Sequence, residues 1–151
     1  MLPPSRKLLF AVEAVLDIAY NAGPNPVQSG EITRRQGIPK RYLEQVLQQL
    51  VRAEVLTGVR GPRGGYRLAR ERRRITLGDI VRVVEAMEQP PDPADEPGGA
   101  PLGHAVVRPI WAELQNDFLG RLDAITLQDL CGRARMSGIR SEATPQLDYS
   151  I

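Results

Sequence analysis

Apolar and polar positions repeat with helical periodicity along most of the chain. Between Ser5 and Tyr20 the apolar residues recur three or four positions apart, and the turn-forming run NAGPNP follows. This pattern predicts a first helix whose core-facing residues are Leu8, Val12, Val15 and Ala19. A second, short helix is predicted from its N-cap Ser29 to Gln36, and Gly37 supplies the turn that follows.

A third helix, predicted from Pro39 to about Val55, has clearly separated apolar and polar faces. Its apolar stripe consists of Leu43, Val46, Leu47, Leu50 and Val51 and is expected to face the core. The polar face carries Arg41, Glu44, Gln45, Gln48 and Arg52, whose side chains can hydrogen-bond base edges or phosphates. An ordinary hydrated face would explain this pattern on a lone helix. The short helix before it and the hairpin after it favour a helix-turn-helix that reads a major groove.

Two short strands are predicted after this helix, from Leu56 to Arg60 and from Tyr66 to Ala69. The turn between them, GPRGG at 61–65, is rich in glycine and should protrude. Arg60, Arg63 and Arg67 place three permanent cations on or beside this loop, where guanidinium groups can bind phosphates or enter a narrow minor groove. A nucleotide-binding loop is the rival explanation, but such a loop follows a strand and opens a helix. The hairpin is therefore predicted to be a wing.

The segments ITLGDI at 75–80 and ITLQDL at 125–130 share one helix-starting pattern. In each, Thr76 or Thr126 is placed to act as an N-cap, with Asp79 or Asp129 three residues later. This spacing is typical of a capping box. The first of the two helices is expected to run to about Glu88 and to close the winged domain.

A long amphipathic helix is predicted from about Ala105. Its apolar stripe consists of Val107, Ile110, Trp111, Leu114, Phe118, Leu122 and Ile125. The winged domain leaves no core for this stripe to cover, so a partner subunit is the expected contact. Packing of the stripe on the first helix of the same chain is the alternative.

These elements divide the chain into four segments. Residues 1–88 form the predicted winged helix-turn-helix domain, and residues 89–104 form an acidic linker rich in proline and glycine. Residues 105–135 comprise the predicted dimerisation helix and a capping helix. Residues 136–151 lack periodicity and are expected to be a flexible tail. The predicted fold class is thus mostly α, with a small β-hairpin wing.

Charge is distributed unevenly although the net charge of the chain is only +2. Residues 1–84 contain 15 Lys and Arg against 7 Asp and Glu, whereas residues 85–151 contain 5 against 11. A basic first part suggests a face that binds a polyanion, and a solvated surface is the alternative. Glu13 and Asp17 interrupt the first apolar stretch, which argues against a membrane span. The single cysteine, Cys131, excludes an internal disulfide, so the cytoplasm is the expected location.

The ordered series of motifs resembles a known family of bacterial winged-helix transcription regulators, the Rrf-two (Rrf2) family of the IscR, NsrR and CymR type. The resemblance runs through AVEAVLDIA, ITRRQGIPKRYLEQVLQQLVRAEVL, VRGPRGGYRLAR, ITLGDIVRVVEAME and WAELQNDFLGRLDAITLQDL, up to about residue 135. It implies a homodimer that binds double-stranded DNA at an inverted-repeat operator and acts as a repressor. An enzyme is not expected, because one histidine and one cysteine offer few nucleophile and base pairs.

The resemblance also implies roles for particular residues. In relatives, base contacts come from the positions that match Arg41, Tyr42, Glu44 and Gln45, and the position of Arg60 reaches the minor groove. Glu44 would select bases by accepting a hydrogen bond from the cytosine amino group and by repelling phosphate. The alternative role is a side-chain pair with Gln48 within the helix. Arg63 departs from the usual glycine of the wing. The full predicted DNA-binding set is Ser29, Lys40, Arg41, Tyr42, Glu44, Gln45, Gln48, Arg52, Arg60, Arg63 and Arg67.

The linker lacks the cysteines that the resemblance would lead one to expect. In cluster-binding relatives this loop supplies three thiolates to an iron-sulfur centre, but QPPDPADEPGGAPLG contains none. We therefore expect no cofactor and no metal, and an unidentified small molecule or protein as the effector. His104 and Cys131 are more simply explained as a helix-end histidine and a buried apolar side chain. A winged-helix module that docks a metabolic enzyme is the alternative function.

Overall fold

The computed structural model describes residues 4–88 and 100–143. Its helices are α1 (Arg6–Asn21), α2 (Ser29–Gln36), α3 (Lys40–Arg52), α4 (Leu77–Met87), α5 (Arg108–Asp123) and α6 (Leu127–Met136). Strands β1 (Leu56–Val59) and β2 (Gly65–Leu68) lie between α3 and α4 and pair antiparallel, from Leu56 opposite Leu68 to Val59 opposite Gly65. A 3-10 turn, Arg72–Arg74, precedes α4, and a π-helical segment, Gly103–Val107, leads directly into α5. The fold is the predicted winged helix-turn-helix with an additional long helix.

Helix α1 is the centre of the core. Ser5 caps it by accepting a hydrogen bond from the Leu8 backbone N–H at 3.1 Å. The predicted Val15 and Ala19 are buried, whereas Leu8 and Val12 are only partly so. The most enclosed positions of α1 are Ala11, Ala14, Val15 and Ile18, so the buried face is rotated relative to the prediction.

Helix α2 begins one residue earlier than predicted. Gln28 is its N-cap, and Ser29 is the first helical residue, so the prediction of Ser29 as the cap is wrong. The Glu31 carboxylate accepts the backbone N–H of Gln28 at 3.0 Å. Glu31 stands three residues after Gln28, as a capping box requires, whereas the residue three after Ser29 is Ile32, which has no acceptor. The predicted turn at Gly37 is confirmed, with φ of 66° in the left-handed region.

Helix α3 is shorter at both ends than predicted. Pro39 is its N-cap, and the helix ends at Arg52 because Glu54 takes a left-handed φ of 60°. The backbone N–H groups of Glu54 and Val55 donate to the carbonyls of Val51 and Leu50, which is the Schellman pattern of a helix end. The predicted apolar stripe is confirmed at Leu43, Val46, Leu47 and Leu50, which are buried, and Val51 is half-buried.

The wing is joined to the start of α2 by a third extended segment. Val27 and Tyr66 exchange two backbone hydrogen bonds, of 3.0 and 2.7 Å, so the hairpin is extended by one bridge. Gly65 permits this approach, since a Cβ at that position would lie 2.4 Å from the Val27 carbonyl oxygen. The base of the wing is thereby fixed against the helix-turn-helix.

The two predicted capping boxes are confirmed and lie side by side. Thr76 accepts from the backbone N–H of Asp79 at 3.1 Å, and Asp79 accepts from that of Thr76 at 2.9 Å. Thr126 and Asp129 repeat this geometry with the same distances. These bonds lower the pKa of Asp129. A bridge between Thr76 and Thr126 joins the starts of α4 and α6.

Helix α6 belongs to the core of the winged domain. Leu127 and Cys131 are fully buried and pack in the same cluster as α1. Burial raises the pKa of the Cys131 thiol, which suits the predicted role of a small apolar side chain. By contrast, α5 contacts the rest of the described chain mainly through α4. Arg82 of α4 holds Asp123 at the end of α5 through two hydrogen bonds of 2.6 and 2.8 Å, which lower the pKa of Asp123.

Residues 137–143 lie within the predicted flexible tail, whose flexibility stays a prediction. This segment lies across the ends of α1 and α2 and is held by side-chain and backbone hydrogen bonds, including one of 3.0 Å from the Glu142 backbone N–H to Asn21 Oδ1. Most of the predicted linker, residues 89–99, and residues 144–151 of the predicted tail lie outside the described residues. Within the described ranges, no helix has the length and apolar character to cross a membrane.

Candidate nucleic-acid interface

The polar face of α3 is exposed along its whole length. Lys40, Arg41, Glu44, Gln45, Gln48 and Arg52 are all solvent-exposed. The opposite face is buried in the core, so the helix is held rigidly while its polar side chains project outward. Among the described residues, no hydrogen bond joins the side chains of Glu44 and Gln48, and the carboxylate of Glu44 is available to an external donor.

Tyr42 has a different environment from the rest of the predicted set. Its side chain is half-buried against Phe10, with the ring centroids 6.2 Å apart, and its hydroxyl donates to the Lys7 carbonyl at 2.6 Å. Burial raises the pKa of Tyr42 to about 12, so the phenol stays protonated and keeps this bond. The hydroxyl thus ties the first turn of α3 to the start of α1. A base contact by Tyr42 would have to use the ring edge or exchange this bond.

The wing presents two of its three predicted cations. Arg60 and Arg63 are exposed at the turn between β1 and β2. The turn closes through a hydrogen bond of 2.9 Å from the Gly64 N–H to the Gly61 carbonyl. A Cβ at Gly64 would lie 2.3 Å from the Val59 carbonyl oxygen, so only glycine fits this tight return.

Arg67 is engaged within the protein, and Ser29 is half-buried. The Arg67 guanidinium is half-buried and donates to the carbonyls of Gly23 and Pro24, so it ties β2 to the loop after α1. Ser29 is half-buried at the start of α2, where its carbonyl accepts from the Thr33 hydroxyl at 3.2 Å. DNA contact by these two residues stays a prediction, and Arg67 would first have to give up these bonds.

The exposed cations of the interface have no acidic partners within the part of the chain that the structure describes. No carboxylate there lies within 4.0 Å of the charged groups of Lys40, Arg41, Arg52, Arg60 or Arg63. Other arginines of the same domain are paired, such as Arg35 with Asp17 and Arg70 with Asp79. The described part of the chain therefore leaves the positive charge of this face available to phosphates.

Two ion pairs that support this face could not be assigned from sequence periodicity alone. Asp17 is fully enclosed, and its two oxygens accept from Arg35 at 2.8 and 2.9 Å. The sequence feature that could have indicated the first pair is Asp17 itself, an acidic residue next to Ile18 on the apolar side of α1. A carboxylate in that position needs a buried partner. Arg70 donates to the Glu54 carbonyl at 3.0 Å and to Asp79 at 3.2 Å, and so links the end of α3 to α4.

The apolar stripe of α5 is exposed on the single chain. Val107, Ile110, Trp111, Leu114 and Phe118 are each between 42% and 59% exposed, whereas Leu122 and Ile125 are half-buried. The five exposed side chains are therefore not covered by α1 of the same chain, which was the alternative to a partner subunit. Their exposure is unusual for large apolar residues aligned along one helix.

The chain matches a family model described as "Rrf2: Iron-dependent Transcriptional regulator" over residues 4–133. This match spans both the winged domain and the long helix. The chain belongs to the Rrf2 family of transcription regulators. It is therefore a DNA-binding regulator and not an enzyme, as the sequence predicted.

Individual relatives agree with this assignment. The chain is 34% identical over 122 residues to Protein rrf2 of Nitratidesulfovibrio vulgaris, which covers 80% of this chain and 81% of that protein. It is 32% identical over 121 residues to the HTH-type transcriptional regulator IscR of Escherichia coli O1:K1, which covers 80% of this chain and 75% of the relative. Among solved structures, IscR of T. potens aligns with a TM-score of 0.70 at 33% identity, over 91% of this chain and 92% of that one. CymR, the global cysteine regulator of B. subtilis, aligns with a TM-score of 0.68 at 30% identity, over 88% and 98% of the two chains.

The family description names iron, but this sequence does not contain a set of thiolate ligands for it. The sequence holds one cysteine and one histidine. Cys131 is buried in the core on α6, and His104 is exposed beside Arg108, whose guanidinium lies 3.2 Å from the ring. Iron-sulfur clusters require several soft ligands directed at one point. The donor set of this member therefore does not fit a thiolate-held cluster.

Proposed function

We propose that this protein is a homodimeric repressor that binds an inverted-repeat operator through α3 and the wing. The observation that carries the proposal is the row of exposed polar side chains on α3 together with exposed Arg60 and Arg63, whose cations meet no carboxylate among residues 4–88 and 100–143. An α-helix fits the major groove, and a protruding basic loop suits the adjacent minor groove or its phosphates. Binding to the operator would block transcription by occupying the promoter.

The apolar face of α5 supports the homodimeric state. A two-fold interface places the same patch of each subunit in contact, so one stripe can cover itself on a second copy. The large side chains from Val107 to Phe118 would lose their contact with water in this arrangement. A two-fold dimer places two copies of α3 on half-sites related by inverted symmetry.

We further propose that the regulator works without an iron-sulfur cluster and responds to another small molecule or protein. This follows from the single buried cysteine and the absence of thiolates from the linker sequence. Absorption spectra and iron analysis after anaerobic purification test this point. Stoichiometric iron with a visible cluster band would contradict it.

The proposed operator is tested by selecting duplexes from random sequence with the full-length protein, followed by mobility-shift titration at matched salt. A selected inverted repeat should bind at least about 10³-fold more tightly than random duplex. Equal affinity for the two would contradict sequence-specific recognition. A reporter carrying the selected repeat over its promoter then distinguishes repression from activation.

Arg60→Ala should weaken operator binding through loss of a phosphate or minor-groove contact. We expect a loss of about 1–3 kcal/mol and a salt dependence shallower by about one unit of log K against log salt. Arg133→Ala, at an exposed position of α6, is the matched control, because it removes the same charge away from the proposed interface. Similar losses in both variants would indicate a general charge effect and not a wing contact.

Glu44→Ala should change sequence preference more than affinity. Its carboxylate accepts hydrogen bonds from cytosine but repels phosphate, so its removal should relax one half-site position in a repeated selection. Gln49→Ala, at a half-buried neighbouring position of α3, serves as the comparison for a change that does not alter the exposed face. An unchanged selected motif in Glu44→Ala would argue against a base contact.

A further inference from the structure

Helix α2 has little apolar anchoring of its own. Ile32 is its single fully buried residue among eight, and its remaining side chains are polar. A helix-turn-helix needs both helices at a fixed angle, because the first helix supports the recognition helix across the DNA backbone. Contacts on the polar side of α2 must therefore contribute to its orientation.

The principal polar contact of α2 is made by Arg35. Its side chain is only 12% exposed, and it lies between two carboxylates from opposite directions. Asp17 of α1 accepts from Nε and Nη2 at 2.9 and 2.8 Å, and Glu142 accepts from Nη1 at 2.6 Å. Gln36 also donates to Asp17, at 2.8 Å. The pKa of Arg35 is raised, mainly by its hydrogen bond to Asp17, so the guanidinium stays charged.

Glu142 reaches this position because the chain turns back after α6. Gly138 adopts a left-handed φ of 78°, and the N–H groups of Gly138 and Ile139 donate to the carbonyls of Arg135 and Ala134. This is a Schellman ending, for which glycine is the favoured residue. It directs residues 139–143 toward the end of α1 and away from the axis of α6.

Several hydrogen bonds then fix the segment on α1. The Tyr20 hydroxyl donates to the Ile139 carbonyl, and the Ser141 hydroxyl donates to the Tyr20 carbonyl. The Glu142 N–H donates to Asn21 Oδ1 at 3.0 Å. A Cβ placed on Gly23 would lie 3.6 Å from the Cα of Ala143, which is an ordinary van der Waals distance. The segment therefore also packs on the loop after α1. We name residues 137–143 the carboxy-terminal strap.

We propose that the carboxy-terminal strap positions α2 for DNA binding by clamping Arg35 between Glu142 and Asp17. This inference rests on the proposed function, because its consequence is measured as operator affinity. None of the strap residues belongs to the predicted DNA-binding set. Arg35, Glu142 and Asp17 are positioning residues, which act on DNA through the orientation of α2.

The test uses Glu142→Lys in the full-length chain, which places a cation beside Arg34 and Arg35 and should release the strap. Glu85→Lys, at an exposed position of α4, changes the net charge equally and is the control for general attraction to DNA. Glu142→Asp keeps the charge, so this variant should retain most of the protection of the α2 amides and most of the operator affinity. Hydrogen exchange of α2 amides is followed by mass spectrometry, and affinity is measured for a duplex selected by the unaltered protein.

We expect α2 amides to exchange faster in Glu142→Lys, while the buried half of α3 is unchanged. Operator affinity should fall about three- to ten-fold relative to Glu85→Lys. Unchanged α2 exchange would overturn the clamp, and faster exchange with control-like affinity would overturn its role in positioning. If the unaltered protein selects no duplex, the proposed function fails, and the exchange measurement still decides whether the strap holds α2.

Discussion

Single residues of this protein show how one backbone angle or one hydrogen bond defines a local structure. Glu54 ends α3 in the left-handed region at φ of 60°, a conformation that a side chain other than glycine adopts at a cost. Its backbone N–H donates to the Val51 carbonyl in the Schellman ending, and its carbonyl accepts a hydrogen bond from Arg70. Its side chain is exposed. Position 54 therefore requires a left-handed backbone conformation and not a particular side chain.

Glu54→Gly is expected to stabilise the protein. Relief of the left-handed conformation is worth about 1–2 kcal/mol, and the greater freedom of glycine in the unfolded chain offsets about 0.5–1 kcal/mol of it. Urea unfolding should show a net gain of about 0.5–1 kcal/mol in the free energy of unfolding. Glu54→Ala removes the same side chain without relieving the backbone, so an equal gain in that variant would refute the explanation.

At the scale of elements, the wing depends on one close approach between strands. Gly65 lies beside the bridge between β2 and Val27, and it is also the strand partner of Val59 in β1. The wing therefore has support on both sides of β2, with Arg67 and Arg70 as further ties to the loop after α1 and to α4. This support holds the exposed loop with Arg60 and Arg63 in one place relative to α3.

Gly65→Ala should loosen the wing. The added Cβ would meet the Val27 carbonyl oxygen at 2.4 Å, so the bridge to Val27 must open or shift. We expect a loss of about 1–3 kcal/mol in thermal or urea unfolding, together with weaker operator binding. In Gly58→Ala, on the neighbouring strand, the added methyl has no atom within 4 Å. Equal losses in both variants would point to strand propensity and not to the close approach.

At the scale of the whole molecule, the chain combines a winged domain with an apolar helix that the domain does not cover. Helix α6 packs into the winged core, and α4 and α6 start side by side, so α5 is fixed to the domain near its carboxyl end. The geometry of a proposed dimer would then determine the distance between the two recognition helices. In the proposed dimer, dimer formation and operator spacing would be coupled for this reason.

Trp111→Asp should convert the proposed dimer to monomers. The Trp111 side chain is 58% exposed on the single chain, and a charge within a covered apolar stripe would be desolvated without a partner. Sedimentation equilibrium should show a dissociation constant raised at least about 100-fold. Asn116→Asp adds the same charge at an exposed position on the opposite side of α5. A monomeric unaltered protein, or equal weakening by both substitutions, would contradict the proposed interface.

Much of this architecture follows from short stretches of sequence. The capping boxes of α4 and α6, the turn at Gly37 and the apolar stripe of α3 involve residues within a few positions of each other. Their hydrogen bonds and periodicity are local, so the sequence by itself determined the helices, the hairpin and the exposed polar face. The family-specific order of these motifs extended that prediction to DNA-binding regulation.

The tertiary structure decided which polar side chains remain available and which hold the fold together. Arg67 and Arg60 look alike in the sequence, but only Arg67 meets the carbonyls of the loop after α1. The carboxy-terminal strap depends on contacts such as that of Tyr20 with Ile139, which are 119 positions apart. Periodicity carries no information about such pairs, because their energy arises only when distant segments meet in the folded chain.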